Sequence, residues 1–223
     1  MRLVKSVFAI QFDTAMNAWL EMRSLLRVAS ASPDAEIQAA PLVIDRAEEK
    51  KRIVVQVRAI AFEHEFPATA DMALSEIRSL MVQFGEIVSL PQIRSIKHDF
   101  IFIEPFSIPF HELVSLIKLR FLVATRATAA ASDVAIFLDT RDDEGMKSIH
   151  LGPMDRVQLQ GEVLRWPADD LPDTFAFMNG SFQVEGPSAF TPEGLESFLK
   201  RSAEVQTEAV ALVIQELTEK TGD

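Results

Sequence analysis

Cysteine and tyrosine are both absent from this chain. The first absence excludes disulfides, thiolate nucleophiles and cysteine-ligated metals, and it fits a reducing compartment. The second removes the phenol from acid–base chemistry and leaves aromatic packing to 16 Phe and 2 Trp. Glycine is scarce, with 8 in 223 residues. No G-x-G-x-x-G, phosphate-cradling glycine loop or G-x-S-x-G occurs, so the common nucleotide-binding and nucleophile-elbow designs are not present. Positive charge is in deficit: 22 Lys and Arg stand against 33 Asp and Glu, a net charge of −11. Phosphate binding rests on clustered Lys and Arg, so no nucleic acid and no anionic membrane is expected as a partner. The densest basic cluster, Arg46, Lys50, Lys51 and Arg52, is interrupted by Glu48 and Glu49 and reads as a solvated hairpin. No window approaches eighteen apolar residues, and the run at 7–10 is too short for a signal peptide. The expectation is a soluble, cytoplasmic protein.

What is present is a core. Hydrophobic residues make up 48% of the chain, enough to rule against wholesale disorder. The stretch 191–220 carries Leu195, Phe198, Leu199, Ser202, Val205, Ala209, Val213 and Leu217, each three or four positions from the next. That spacing predicts a long helix with one inward face, capped by Thr191 with Pro192 at its first position. Residues 3–12 alternate as a strand, apolar on both faces and hence central. A helix is expected from Asp13 or Thr14 with Met16, Trp19, Leu20, Met22 and Leu26 on its face, then a loop at 30–34. Residues 42–45 read as a short strand. Residues 52–66 read as one long strand whose apolar face switches near Ala59, predicting a bulge or bend. A helix at 68–84 with Gly85 as its cap and a strand at 92–103 complete a β-α-β-β-α-β order, the ferredoxin-like split motif.

After Pro105 the pattern predicts a third helix at 110–123, then strands at 134–138, 148–151 and 156–165 separated by turns at Asp142-Asp143-Glu144-Gly145 and Gly152-Pro153. Asn179-Gly180 is the pair favoured in a tight hairpin turn and would set Phe177 opposite Phe182 and Phe175 opposite Val184; the alternative is one continuous strand with a bulge at Gly180. The fold class is therefore α+β: antiparallel sheet with a ferredoxin-like half at 1–104, a strand-rich second half at 105–223 and a long C-terminal helix. The halves form one compact unit or share one sheet system.

Chemistry-bearing residues are few. His64 lies between Glu63 and Glu65, and His98 precedes Asp99. A carboxylate–imidazole pair can act as a general base, so His64, His98 and Asp99 are the catalytic candidates. No standard metal-ligand spacing occurs: His111-Glu112 lacks the second helical histidine of a zinc protease, and Asp139, Asp142, Asp143 and Glu144 lack calcium-loop spacing. Neither metal nor cofactor is expected. Phe62, Phe100, Phe102, Trp166, Phe175 and Phe177 are candidate lining for an apolar pocket, set against their simply filling the core.

The strand at Val4, Ser6, Phe8 and Ile10, the mid-chain strand beginning at Arg94, and a long closing helix after Pro187 give the chain a layout that resembles a family of uncharacterised, sporadically distributed bacterial proteins. That resemblance implies no activity; patchy distribution implies an accessory role, in defence or on a mobile element. The expected function is a non-enzymatic module that binds a protein partner or a small apolar ligand. The alternative is an enzyme using His64 or His98 with adjacent carboxylates. Homodimerisation through a sheet edge or the third helix is compatible with the pattern.

Overall fold

The computed structural model describes residues 1–14, 41–87, 90–188 and 191–218. The helix expected after Asp13 and the loop at 30–34 lie outside the described residues. Among the described residues eight strands form one antiparallel sheet: β1 (Arg2–Phe12), β2 (Leu42–Arg46), β3 (Lys51–Gln56), β4 (Ala59–Glu65), β5 (Ile93–Pro105), β6 (Ile136–Asp142), β7 (Gly145–Asp155) and β8 (Thr174–Ser188). Their spatial order is β2-β3-β4-β1-β5-β8-β7-β6. The helices are α1 (Ala70–Ile87), α2 (Phe110–Phe121), the short α3 (Arg126–Ala130), the single turn α4 (Arg156–Gln158) running into a π-turn at Leu159–Val163, and α5 (Pro192–Thr218). The α+β class, the antiparallel sheet and the long terminal helix follow the sequence pattern. β4-α1-β5 keeps the split connection of the ferredoxin-like order, with β1 lying between β4 and β5. One sheet runs through both halves of the chain, joined where β5 pairs with β8.

Four local expectations are corrected. Residues 52–66 are two strands, not one bent strand. The chain reverses at Val57-Arg58, so Ile53 pairs with Phe62 and Val55 with Ile60. Odd-numbered positions before the turn thus share a face with even-numbered positions after it, and the switch of apolar parity near Ala59 is a hairpin. Gly85 falls inside α1 rather than capping it. Residues 156–163 are helical turns rather than strand: Asp155 accepts from the Gln158 N–H at 2.8 Å and Gln158 accepts from the Asp155 N–H at 3.1 Å, a reciprocal cap. Gly152 and Pro153 lie within β7 rather than at a turn. β6 ends its pairing at Leu151, so the missing N–H of Pro153 costs no ladder bond on that side.

The Asn179-Gly180 hairpin is also overturned. β8 passes straight through this pair, with β5 on one side and β7 on the other. Phe177 and Phe182 therefore lie on opposite faces of one strand instead of opposite each other. Glycine at 180 answers to close packing: a Cβ there would overlap the Phe100 ring.

One face of the sheet is covered by helices. Leu74, Ile77 and Met81 of α1, Leu113 and Ile117 of α2, and Leu195, Phe198, Leu199, Val205, Ala209, Val213 and Leu217 of α5 pack with Phe8, Ile10, Phe62, Phe100 and Phe182 in one buried cluster. The Phe198 ring stacks on Phe182 at 5.2 Å and meets Phe8 edge-on at 5.9 Å. Full burial of each large aliphatic or aromatic side chain stabilises the fold by about 1.5–3 kcal/mol. A second cluster joins Val4, Ile101, Ile103 and Phe175 to Leu159, Leu164, Ala168 and Leu171 of the segment after β7. Glu65, itself buried, pins that segment: its carboxylate accepts from the Arg165 and Trp166 N–H groups at 2.8 and 3.1 Å and from Lys5 Nζ at 3.2 Å.

Two substitutions test this account. Gly180→Ala forces the Phe100 ring or the strand to move, and urea unfolding should show a loss of about 1–3 kcal/mol. Glu65→Ala removes the buried carboxylate that two part-buried N–H groups donate to, which should cost about 1–3 kcal/mol and speed limited proteolysis within residues 156–172 relative to wild type.

Candidate functional site

The two histidines singled out on the sequence sit on β4 and β5, on either side of β1, and occupy different environments. His98 is sealed at 1% exposure beneath α5. Its Nε2 lies 2.8 Å from Ser6 Oγ on β1, its Nδ1 2.7 Å from Ser202 Oγ and 3.3 Å from Gln206 Nε2 on α5. Ser6, Ser202 and Gln206 are buried with it. One tautomer satisfies the group as placed: the ring donates from Nε2 to Ser6, and Nδ1 accepts from the Ser202 hydroxyl and the Gln206 amide. Among the described residues no carboxylate takes part. Burial alone pushes the imidazole pKa down to about 4. In that tautomer the ring donates to Ser6, and the hydroxyl it accepts from, Ser202, is itself 0% exposed and closed off from solvent with it.

Asp99 does not join this site. Adjacent strand positions point to opposite faces, and Asp99 pairs with Lys97 at 2.8 Å on the side away from His98. The same alternation turns Glu63 and Glu65 away from His64 and toward Lys5. The carboxylate that does reach His64 comes from α1: Glu76 Oε2 lies 2.8 Å from His64 Nδ1 but off the line of a straight hydrogen bond. Lys51 ties Glu76 and Glu49 together at 2.9 and 3.0 Å. Burial holds the His64 pKa below its ordinary value, against the pull of Glu76, so at neutral pH the ring is uncharged. The space these groups share with Ser6, Phe62 and Ile77 is about 40 Å³, room for a water or two rather than for an organic substrate. Among the described residues no group of three or more His, Asp or Glu side chains is placed to hold a metal. The Asp142 carboxylate serves its turn, accepting from the Glu144 and Gly145 N–H groups at 2.9 and 3.0 Å and pairing with Lys147 at 3.0 Å.

The six aromatic candidates are not brought together. Phe62, Phe100 and Phe102 pack in the cluster under the helices, whereas Phe175, with Phe177 against it, belongs to the second cluster. Trp166 stands at the end of the segment held by Glu65. A larger space lies elsewhere. Ile93, Ile96, Phe182 and Val184 on β5 and β8 form the floor, and Leu195 and Phe198 of α5 the wall, of a groove of about 490 Å³. Glu144, Lys200, Arg201 and Glu204 stand at its rim. Arg201 is neutralised by three carboxylates, Glu144 at 2.6 Å, Glu204 at 2.9 Å and Glu208 at 3.4 Å. The neighbouring β6–β7 hairpin adds Asp142 and Asp143, and β8 adds Glu185, with Arg141 and Lys147 beside them.

The sequence reading missed Glu76, Gln206 and this groove. A signal for part of it was present: Ser6 interrupts the apolar face of β1, and Ser202 the apolar stripe of α5, where only a buried polar partner would suit them. Comparison with known proteins finds no matching family model and no matching curated protein. No helix among the described residues is long and apolar enough to cross a membrane.

The buried imidazole carries a pH prediction. Its folded-state pKa, about 4, lies below the unfolded value near 6.5, so the unfolded chain takes up the proton first. The stability tied to neutral His98 is whole above about pH 6.5 and is lost as pH falls toward 4, about 3 kcal/mol across that window. The check is urea unfolding at a series of pH values: the slope between pH 6.5 and 4 should be shallower in His98→Gln than in wild type by this amount.

Proposed function

We propose that the protein is a non-enzymatic, cytoplasmic binding module, and that the groove between α5 and the β5–β8 pair takes an apolar segment of a partner protein flanked by Lys or Arg. The observation that carries this reading is the groove itself: an apolar floor about the size of a ligand site, with two carboxylates and two cations at its rim and an excess of carboxylates beside it at the adjoining β6–β7 turn. Apolar burial supplies the affinity, and the acidic edge selects a basic partner and steers its approach. The enclosed, carboxylate-free setting of His98 and the small space at His64 favour binding over catalysis. The layout shared with the sporadic bacterial family supports an accessory role, in defence or on a mobile element.

The test uses a displayed library of random peptides panned against the whole protein. Enriched sequences should combine large apolar residues with Lys or Arg. Their binding should fall about tenfold or more on Glu204→Arg, an exposed rim change, and on Val184→Asp in the floor. Enrichment of acidic peptides, or binding indifferent to both changes, overturns the reading. So does native mass spectrometry showing a small apolar molecule retained in the groove.

A further inference from the structure

We propose that the outer edge of β6 is a self-association surface, where two copies of this chain pair antiparallel about a two-fold axis through Thr140. β6 ends the sheet order, so its outer row of backbone N–H and C=O groups has no neighbouring strand among the described residues, and such a row is a template for another strand. Two large apolar side chains on it stand in solvent, Phe137 at 61% and Leu138 at 42% exposure.

Charged side chains on an edge ordinarily block strand addition. Here they make the strand complementary to itself. Phe137, Asp139 and Arg141 share one face, two residues apart, since they oppose His150, Ser148 and Met146 of β7. An antiparallel pair centred on Thr140 sets each residue opposite the one equally far on the other side of the centre. Asp139 of each copy then meets Arg141 of the other, twice by symmetry and on the same face of the joined sheet. Phe137 falls diagonal to the second copy's Arg141, within reach of its guanidinium. Shifting the centre to Asp139 would set two carboxylates against each other. Shifting it to Leu138 would leave Arg141 opposite Ala135. Charge therefore selects Thr140. Within its own copy Arg141 is held, among the described residues, by a 4.0 Å contact to Glu185, so it is available to the second copy. The two-fold lies perpendicular to the sheet, keeps the helices of both copies on one side, and gives one continuous sheet.

Sedimentation velocity across a wide range of concentration tests this and is independent of peptide capture at the groove. Wild type should show a monomer–dimer equilibrium that weakens with added salt. Asp139→Arg and Arg141→Asp, both at exposed positions, should each keep the wild-type circular dichroism and weaken the dimer about tenfold or more. The double variant, which restores opposite charges across the axis, should return to within about threefold of wild type. A monomer at every concentration overturns the proposal, as does a dimer that neither single change weakens. Failure of the double variant to recover overturns the Thr140 register.

Discussion

The contact on which the rest of the molecule depends is the one between α5 and the sheet at His98. Apolar packing by itself is tolerant of sliding: Leu195, Phe198, Val205 and Val213 would bury comparable area with the helix shifted along its axis. The imidazole removes that freedom. Ser6 of β1 and Ser202 and Gln206 of α5 must all meet it at hydrogen-bond distance, and any other register strands polar groups in a dry interface. The edge-on contacts of His98 with Phe8 and Phe100 extend the same constraint into the sheet. Because the ring is buried, it stays neutral, and helix docking carries a proton-linked cost in acid.

The other side of the sheet is organised by a charge instead. Glu65 is buried beside Lys5 and holds the Arg165 and Trp166 N–H groups. This draws the segment after β7 across one end of the sheet and creates the second core around Phe175 and Ile103. Immediately after it Phe66 takes the left-handed backbone conformation, φ 55°, and ends β4 before Pro67. The polar contacts at Glu65 and at His98 thus place packing that is otherwise non-directional. Room for a ligand appears where the two constraints leave off, along the N-terminal part of α5.

The elements read from the sequence with most success were those with long, unambiguous periodicity. The buried face of α5 carries the residues its spacing named, and β5 sets Ile96, Phe100 and Phe102 toward one cluster as expected, whereas in β1 a bulge between Leu3 and Lys5 puts Leu3 with Phe8 and Ile10 and sends Val4 to the second cluster. Short-range turn signals did worse. Asn179-Gly180 suits a hairpin in isolation, yet β5 and β7 both hold this stretch extended, and the glycine makes way for Phe100. The change of parity at Ala59 was visible, but a bulge and a fold-back leave the same mark on a sequence. For the candidate site, His64 and His98 could be picked out as unusual and their neighbouring carboxylates could not, since partners across a sheet come from distant positions.

Period and composition by themselves determined the α+β class, the inward face of the terminal helix, and the absence of thiol or phenol chemistry. These depend on what each residue is and on its spacing from near neighbours. Only the tertiary structure decided that Glu76 rather than Glu63 or Glu65 meets His64, that Ser202 and Gln206 rather than Asp99 meet His98, and that an apolar groove opens beside Phe182. The physical reason is strand alternation, which points sequence neighbours to opposite faces, together with helix docking, which brings together groups about a hundred residues apart.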